Sequence, residues 1–166
     1  MIARFSTGGP SKPAEHFSSN SLIPSRSPNI HGTNMTAKNA SLYERLGGIY
    51  AIAAVVDDFI DRIMVNPILN ANPLVDEAHH RVSKAGFKYL VTEMVGWATG
   101  GPQKYTGKTM KESHEHLRIT ESEWQTFLGD FQTTLDKFHA PAAEQRELFA
   151  IVESTKGDIV VRSAAR

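Results

Sequence analysis

The chain lacks cysteine altogether, and this absence removes several kinds of chemistry at once. None of its 166 residues is a cysteine, so disulfides, thiolate metal sites and a cysteine nucleophile are excluded. Histidine, present seven times, and methionine, present five times, are the soft-metal ligands that remain. A site for a soft metal would therefore depend mainly on histidine.

Excess charge and long apolar runs are missing as well. The 18 Lys and Arg residues balance the 18 Asp and Glu residues, which gives no electrostatic reason to expect nucleic acid or an anionic membrane as a partner. No apolar run approaches the roughly 20 residues that a membrane span needs, and the N-terminus has no apolar core typical of a secretory signal. We therefore expect a cytoplasmic protein.

Common catalytic motifs are absent too. There is no His-Glu-x-x-His zinc motif and no Gly-x-Ser-x-Gly nucleophile motif. The pair Gly100-Gly101 lacks the Gly-Lys-Ser continuation of a phosphate-binding loop. The sequence thus gives no support for a hydrolase or a nucleotide-binding enzyme.

The composition divides the chain into three parts. Residues 1–38 are rich in Ser, Pro, Gly and Asn, and bury too little apolar surface to offset the entropy of ordering. We predict a disordered leader there, with Met35 as an alternative start of translation. The domain is expected to cover residues 41–161, and residues 162–166 are expected to fray.

Helical periodicity dominates the domain. Apolar residues recur at helical spacing over about 49–66 and 84–98, in a long helix after Thr120, and in a last helix after Pro141. Ser41 with Glu44 and Thr120 with Glu123 match the capping-box pattern that starts a helix. Asn and Pro interrupt residues 67–82, which predicts a loop. Because no strand pattern occurs, we predict an all-α fold packed around one core.

The most informative histidine is His114, in a short helix after a glycine turn. Met110 lies one turn before it, and Leu117 and Ile119 follow it. A buried neutral imidazole with one free nitrogen is a good iron ligand, and a nearby carbonyl can hold the other nitrogen. Spacing alone leaves two interpretations open, since a lone histidine on an apolar face is more often a packed core residue. His116 would lie on another helix face, so the two histidines would not chelate one metal.

Several separated segments together resemble the group 1 truncated haemoglobins over residues 41–161. They are Ser41–Gly48 (SLYERLGG), Val55–Phe59 (VVDDF), Gly100–Gly107 (GGPQKYTG), and Met110 with His114. The resemblance implies a two-over-two helical sandwich around haem b. It also implies that His114 is the proximal ligand of the haem iron.

The same resemblance implies the walls of the pocket. The proximal wall would consist of Met110, Leu117, Ile119, Trp124 and Phe127. The distal wall would consist of Phe59, Ile60, Phe87, Val91 and Met94. Apolar walls suit the porphyrin faces and keep bulk water away from the iron.

The distal wall departs from the family pattern. The family places a tyrosine after the phenylalanine of the second helix, where it donates a hydrogen bond to bound oxygen, but this chain has Ile60. Val91 occupies the position of a common glutamine, with Phe87 one turn earlier, and a phenylalanine pair expected near Asn72 is missing. A hydrogen bond of about 1.5–3 kcal/mol is therefore absent, unless another donor enters.

Tyr89, His79 and His80 are the candidates for such a donor. Two hypotheses follow. Either the pocket is apolar and oxygen leaves it quickly, or His79 or His80 closes the sixth coordination position of the iron.

Three functions remain open. The first is reversible binding of oxygen and other diatomics (NO, CO), for transport or sensing. The second is an enzyme of the nitric oxide dioxygenase type, or a pseudo-peroxidase. The dioxygenase needs a stable oxygen complex and an electron source such as a reductase, so the missing tyrosine weakens it. The third is a helical interaction module without haem.

Overall fold

A computed structural model of the protein describes residues 40–161. The predicted disordered leader, the alternative start at Met35 and the predicted frayed tail all lie outside these residues. The helices are α1 (Leu42–Arg45), α2 (Gly48–Val65), α3 (Pro67–Asn70), α4 (Pro73–Arg81), α5 (Lys84–Ala98), α6 (Met110–His114), α7 (Glu121–Lys137) and α8 (Ala142–Ile159), and a 3-10 turn (Glu115–Leu117) follows α6. None of the helices within 40–161 is both long and apolar enough to cross a membrane.

The predicted all-α, two-over-two architecture is confirmed. Residues 40–161 form no strand, and an isolated bridge joins Ile119 to Val160. Helix α2 packs against α5 and α7, and α7 contacts α8 through the rings of Phe131 and Phe149, whose centroids are 5.2 Å apart. The pair α2 and α5 and the pair α7 and α8 therefore enclose the core between them.

The apolar stripe of α2 forms the centre of that core. Its buried members are Ile52, Val56, Phe59, Ile60 and Ile63. The ring of Phe59 meets Phe127 edge-on at 5.2 Å and Phe131 at 5.3 Å. Edge-to-face pairs of this kind contribute about 0.5–1.5 kcal/mol beyond the burial of their area, so they hold α2 firmly against α7.

Capping boxes fix the starts of three helices. The boxes at Ser41 and Thr120 are present as the sequence predicts. A third box, formed by Thr109 and Glu112, begins α6, the helix that carries His114. The Thr109 hydroxyl accepts from the Glu112 backbone N–H while the Glu112 carboxylate accepts from the Thr109 backbone N–H. This box is readable from sequence, but our sequence interpretation missed it.

The predicted loop over residues 67–82 is wrong, because this segment forms α3 and α4. Each helix begins at an Asn-Pro pair. The side chains of Asn66 and Asn72 accept hydrogen bonds from backbone N–H groups of the first turn, and the following proline is tolerated there. Asn66-Pro67 and Asn72-Pro73 therefore start helices here and do not break them. His79 and His80 consequently lie in a helix.

Glycine is required where α5 ends. Gly100 has φ +88°, in the left-handed region that residues with a Cβ rarely adopt. A Cβ on Gly101 would lie 2.7 Å from the carbonyl oxygen of Gly96 and would also overlap the side chains of Tyr43 and Gln103. This close turn sets the direction of the chain toward α6.

We expect Gly101→Ala to lower the free energy of unfolding by about 1–3 kcal/mol, because the added methyl group overpacks a site bounded partly by backbone. Gly129→Ala is the matched control. Gly129 is exposed within α7 and has no atom within 4 Å of an added Cβ, so this change should raise stability by up to about 1 kcal/mol. Urea unfolding of the full-length protein measures both, and equal effects would contradict the packing described here.

Candidate cofactor site

A large cavity of about 1760 Å³ lies within the helical core. Pockets for drug-sized ligands occupy only about 300–1,000 Å³. Every residue predicted for the site lines this cavity, namely His114, Phe59, Ile60, Phe87, Val91, Met94, Met110, Leu117, Ile119, Trp124 and Phe127. The structure therefore brings them together, while their roles toward a cofactor stay a prediction.

The hydrogen bond of the His114 ring fixes its tautomer. Nδ1 lies 2.8 Å from the carbonyl oxygen of Met110. A carbonyl oxygen can only accept, so Nδ1 carries the proton and donates it. The lone pair is consequently on Nε2, which is the ring nitrogen able to bind a metal.

Burial also favours the neutral ring. Desolvation lowers the pKa of His114 below its ordinary value, the hydrogen bond to Met110 offsets part of this effect, and nearby His116 lowers the pKa further. The unperturbed value is already about 6.5, so the ring is neutral at pH 7. His116 itself is exposed and does not line the cavity.

Ser113 is a contributor that the sequence interpretation missed. Its hydroxyl donates to the Thr109 carbonyl at 2.7 Å, and its oxygen lies 3.0 Å from Nδ1 of His114. The imidazole N–H thus has two acceptors, which restrict the orientation of the ring. Only its position beside His114 could have indicated this role.

A metal bound in this cavity would need most of its ligands from a cofactor rather than from the protein. Within residues 40–161 no three His, Asp or Glu side chains are close enough to hold an ion together. An iron porphyrin meets this condition, because its macrocycle would supply most of the ligands of the iron. The neutral imidazole of His114, apolar walls and a cavity of this size therefore fit a haem.

The indole of Trp124 gives a second indication of the occupant. The side chain is 2% exposed and stacks on Phe127 with ring centroids 5.3 Å apart. Its N–H has no partner among the described residues, and burying such a donor costs about 1–3 kcal/mol. The π face of an aromatic macrocycle can accept a weak hydrogen bond from this N–H.

Two of the candidate donors for the distal wall are excluded by position. Tyr89 is 61% exposed, does not line the cavity, and donates its hydroxyl to Glu93 at 2.5 Å. His80 is also exposed and outside the lining. His79 alone of the three lines the cavity.

The hydrogen bonds around His79 leave its Nε2 as an acceptor. Nδ1 lies 2.8 Å from Oδ1 of Asn70, and Nδ2 of Asn70 donates to the Met64 carbonyl at 3.0 Å. This second bond fixes the orientation of the amide, so Nδ1 of His79 must be the donor. Burial lowers the pKa of His79, and the charge of Asp76 offsets part of the shift. A neutral His79 cannot donate a hydrogen bond from Nε2.

Comparison with known proteins agrees with this fold. Residues 41–161 match the model of the bacterial-like globin family. The group 1 truncated hemoglobin LI410 of Chlamydomonas moewusii is 26% identical over 72% of this chain and 68% of its own length. The group 1 truncated hemoglobin GlbN of Mycolicibacterium paratuberculosis is 25% identical over 78% of this chain and 91% of its own length.

Solved structures show the same fold. The truncated hemoglobin of Tetrahymena pyriformis in its Fe(III) form is 23% identical, with a TM-score of 0.62, and the match covers 74% of this chain and 100% of that one. The 2/2 hemoglobin of Synechococcus sp., in the cyanomet state with covalently attached heme, has the same identity, TM-score and coverage.

The family match covers nearly all of the residues that the structure describes. It confirms the resemblance found in the sequence motifs, and the cavity fits the cofactor that the family carries. The chain belongs to the bacterial-like globin family and is a haem-binding globin.

Proposed function

We propose that this protein holds haem b through His114 and reversibly binds diatomic gases (O2, NO and CO) on the distal side. One observation carries the proposal: the lone pair of His114 Nε2 belongs to a ring that lines a large apolar cavity. Bound haem would supply an iron that can take a gas as a ligand. The chain would supply the His114 imidazole to hold the iron and apolar walls around the cofactor.

The surroundings of His114 support the ligand role over a plain core role. A histidine that only packs in the core usually has hydrogen-bond partners for both ring nitrogens. In His114, Nδ1 has the Met110 carbonyl and the Ser113 hydroxyl as partners, and Nε2 has none among the described residues. The arrangement satisfies one nitrogen and leaves the other for a metal.

The distal wall favours reversible binding over an enzyme of the nitric oxide dioxygenase type. Such an enzyme requires a long-lived oxygen complex together with an electron donor such as a reductase. Ile60, which is 1% exposed, and Val91 line the cavity and have no hydrogen-bond donor in their side chains. Oxygen that is bound without a hydrogen bond dissociates faster than oxygen that accepts one. Transport or sensing therefore fits this pocket better than the dioxygenase reaction.

Replacing His114 tests the proposal. We expect His114→Ala to weaken haem affinity at least about tenfold, since even changes to residues behind a metal ligand cost about 10–100-fold. His116→Ala, two residues away on the exposed surface, is the control and should leave the affinity unchanged. Titration of haem into each haem-free variant, followed at the Soret band, measures both affinities.

If His114→Ala kept full haem affinity, His114 would not be the ligand. If the wild-type protein developed no Soret band on addition of haem, a helical module without haem would replace the proposed function.

Restoring a donor to the distal wall tests the role of its apolar character. We expect Val91→Gln to slow oxygen dissociation by about 10–150-fold, the equivalent of a hydrogen bond of about 1.5–3 kcal/mol. Val91→Met adds a side chain of similar length without a donor, and should leave the rate within a few-fold of wild type. Stopped-flow measurement on the reconstituted proteins compares the three, and equal slowing by Gln and Met would show that side-chain size, rather than hydrogen bonding, sets the rate.

A further inference from the structure

We propose that an acidic electron-transfer protein docks beside the cofactor cavity and reduces the haem iron. The docking site is a basic surface formed by Lys104, Lys108 and Lys111 together with the exposed ring of Trp97. Oxygen and carbon monoxide bind ferrous iron, so a protein that binds them reversibly needs an electron whenever its iron is oxidised. The inference rests on the proposed function and names a partner for the same site.

The basic surface carries unpaired positive charge on a domain that is otherwise acidic. Residues 40–161 contain 17 Asp and Glu against 12 Lys and Arg. Outside residues 104–118, every Lys and Arg of this range except Arg146 forms an ion pair. Lys104, Lys108, Lys111 and Arg118 are exposed and form no ion pair with the described residues. Positive charge without an internal partner is therefore concentrated in this one segment.

The turn after α5 brings Lys104 close to Trp97. Gln103 folds back onto the end of α5, where a Cβ on Gly96 would lie 2.6 Å from its amide oxygen. Trp97 is the next residue after Gly96, and Lys104 is the next residue after Gln103. The indole and the ammonium group thus project from neighbouring points of the backbone.

A tight loop then adds the other two lysines. The Tyr105 hydroxyl donates to the carbonyl oxygen of Lys108 at 2.8 Å, which closes the loop between Lys104 and Lys108. Lys111 follows in the first turn of α6, the helix that carries His114. The basic surface is therefore continuous from the end of α5 to the start of α6.

The basic surface also borders the cofactor cavity. Trp97 is 59% exposed and still lines the cavity, and the exposed Lys108 lines it as well. Tryptophan is enriched at protein interfaces. A partner that covers these two side chains therefore comes close to the cofactor without entering the cavity.

The nearby carboxylates do not neutralise the lysines. Glu93 accepts hydrogen bonds from the hydroxyls of Tyr89 and Thr106, and Glu112 accepts them from Thr109. These anions are held against the protein, whereas a lysine ammonium group on its flexible stem can reach toward a partner.

Charge and size together favour a redox protein as the occupant. The acidic remainder of the domain repels an acidic partner, so a collision is productive mainly at the basic surface, and such steering raises association rates. Electron-transfer complexes are among the smallest protein interfaces, which suits a surface of three lysines and one indole. In the step itself, a reduced iron–sulfur or flavin centre loses one electron and Fe(III) becomes Fe(II). No proton or bond is exchanged with the chain.

Stopped-flow reduction of the ferric, haem-loaded protein by a reduced, acidic [2Fe–2S] ferredoxin tests the inference. We expect the double variant Lys104→Gln/Lys111→Gln to react about tenfold more slowly at low ionic strength, since steering changes association rates by about 10–10³-fold. Added salt should slow the wild type steeply and the double variant much less. Neither lysine lines the cavity, so the Soret spectrum, haem affinity and midpoint potential should stay unchanged.

The double variant Arg81→Gln/Lys84→Gln is the matched control. Lys84 begins α5 and Trp97 lies near its end, so the two are separated by about 20 Å along the helix. The control loses the same charge and should react at the wild-type rate. Calorimetric titration with oxidised ferredoxin gives a second readout, in which only Lys104→Gln/Lys111→Gln should bind more weakly.

Equal rates for the wild type and Lys104→Gln/Lys111→Gln, or a wild-type rate independent of salt, would overturn the inference. Binding to phosphatidylglycerol vesicles, or self-association in the ultracentrifuge, would also overturn it if these lysines were required there and left the ferredoxin rate unchanged. A failure of the proposed function appears elsewhere, as a missing Soret band in the wild type or full haem affinity in His114→Ala.

Discussion

The hydrogen bond from His114 Nδ1 to the Met110 carbonyl is the interaction on which the site depends. It is possible only because α6 places the two residues one turn apart, and the capping box of Thr109 and Glu112 fixes where that short helix begins. Isolated helices of this length are unstable, so the box and the packing of α6 against α8 are needed to hold it. The bond leaves Nε2 as the nitrogen with a free lone pair.

The two sides of the cavity differ in the hydrogen bonds that their residues make or can offer. On the proximal side, backbone and hydroxyl acceptors hold one imidazole in a single orientation. On the distal side, the residues at the positions of Ile60 and Val91 give no hydrogen bond, and the one histidine that lines the cavity, among the three candidates raised by the sequence, presents a lone pair instead of a proton. A gas bound on this side would therefore meet apolar surface and no hydrogen-bond donor from these residues, which favours the proposed reversible binding over oxygen-dependent catalysis.

Sequence patterns predicted the long helices and two capping boxes, because helical periodicity and caps are local properties. The residues that line the cavity were predicted from the resemblance to the truncated haemoglobins. The segment 67–82 forms helices rather than the predicted loop because Asn and Pro can start helices as well as interrupt them, and because Leu69 and Val75 are buried there. The roles of Ser113 and Asn70 could not be predicted, since each depends on the orientation of a neighbouring side chain. For the same reason, the sequence could not tell which of His79 and His80 lines the cavity. The two differ in the partner of Nδ1 and in the burial of the ring.

The rate of oxygen dissociation from the reconstituted wild-type protein tests the central claim, that no side chain donates a hydrogen bond on the distal side. The account predicts rapid dissociation, changed little by Tyr89→Phe, because the Tyr89 hydroxyl is committed to Glu93 outside the cavity. A slow rate, comparable with that of the Val91→Gln variant, would contradict it and would require a donor that the distal wall described here does not contain.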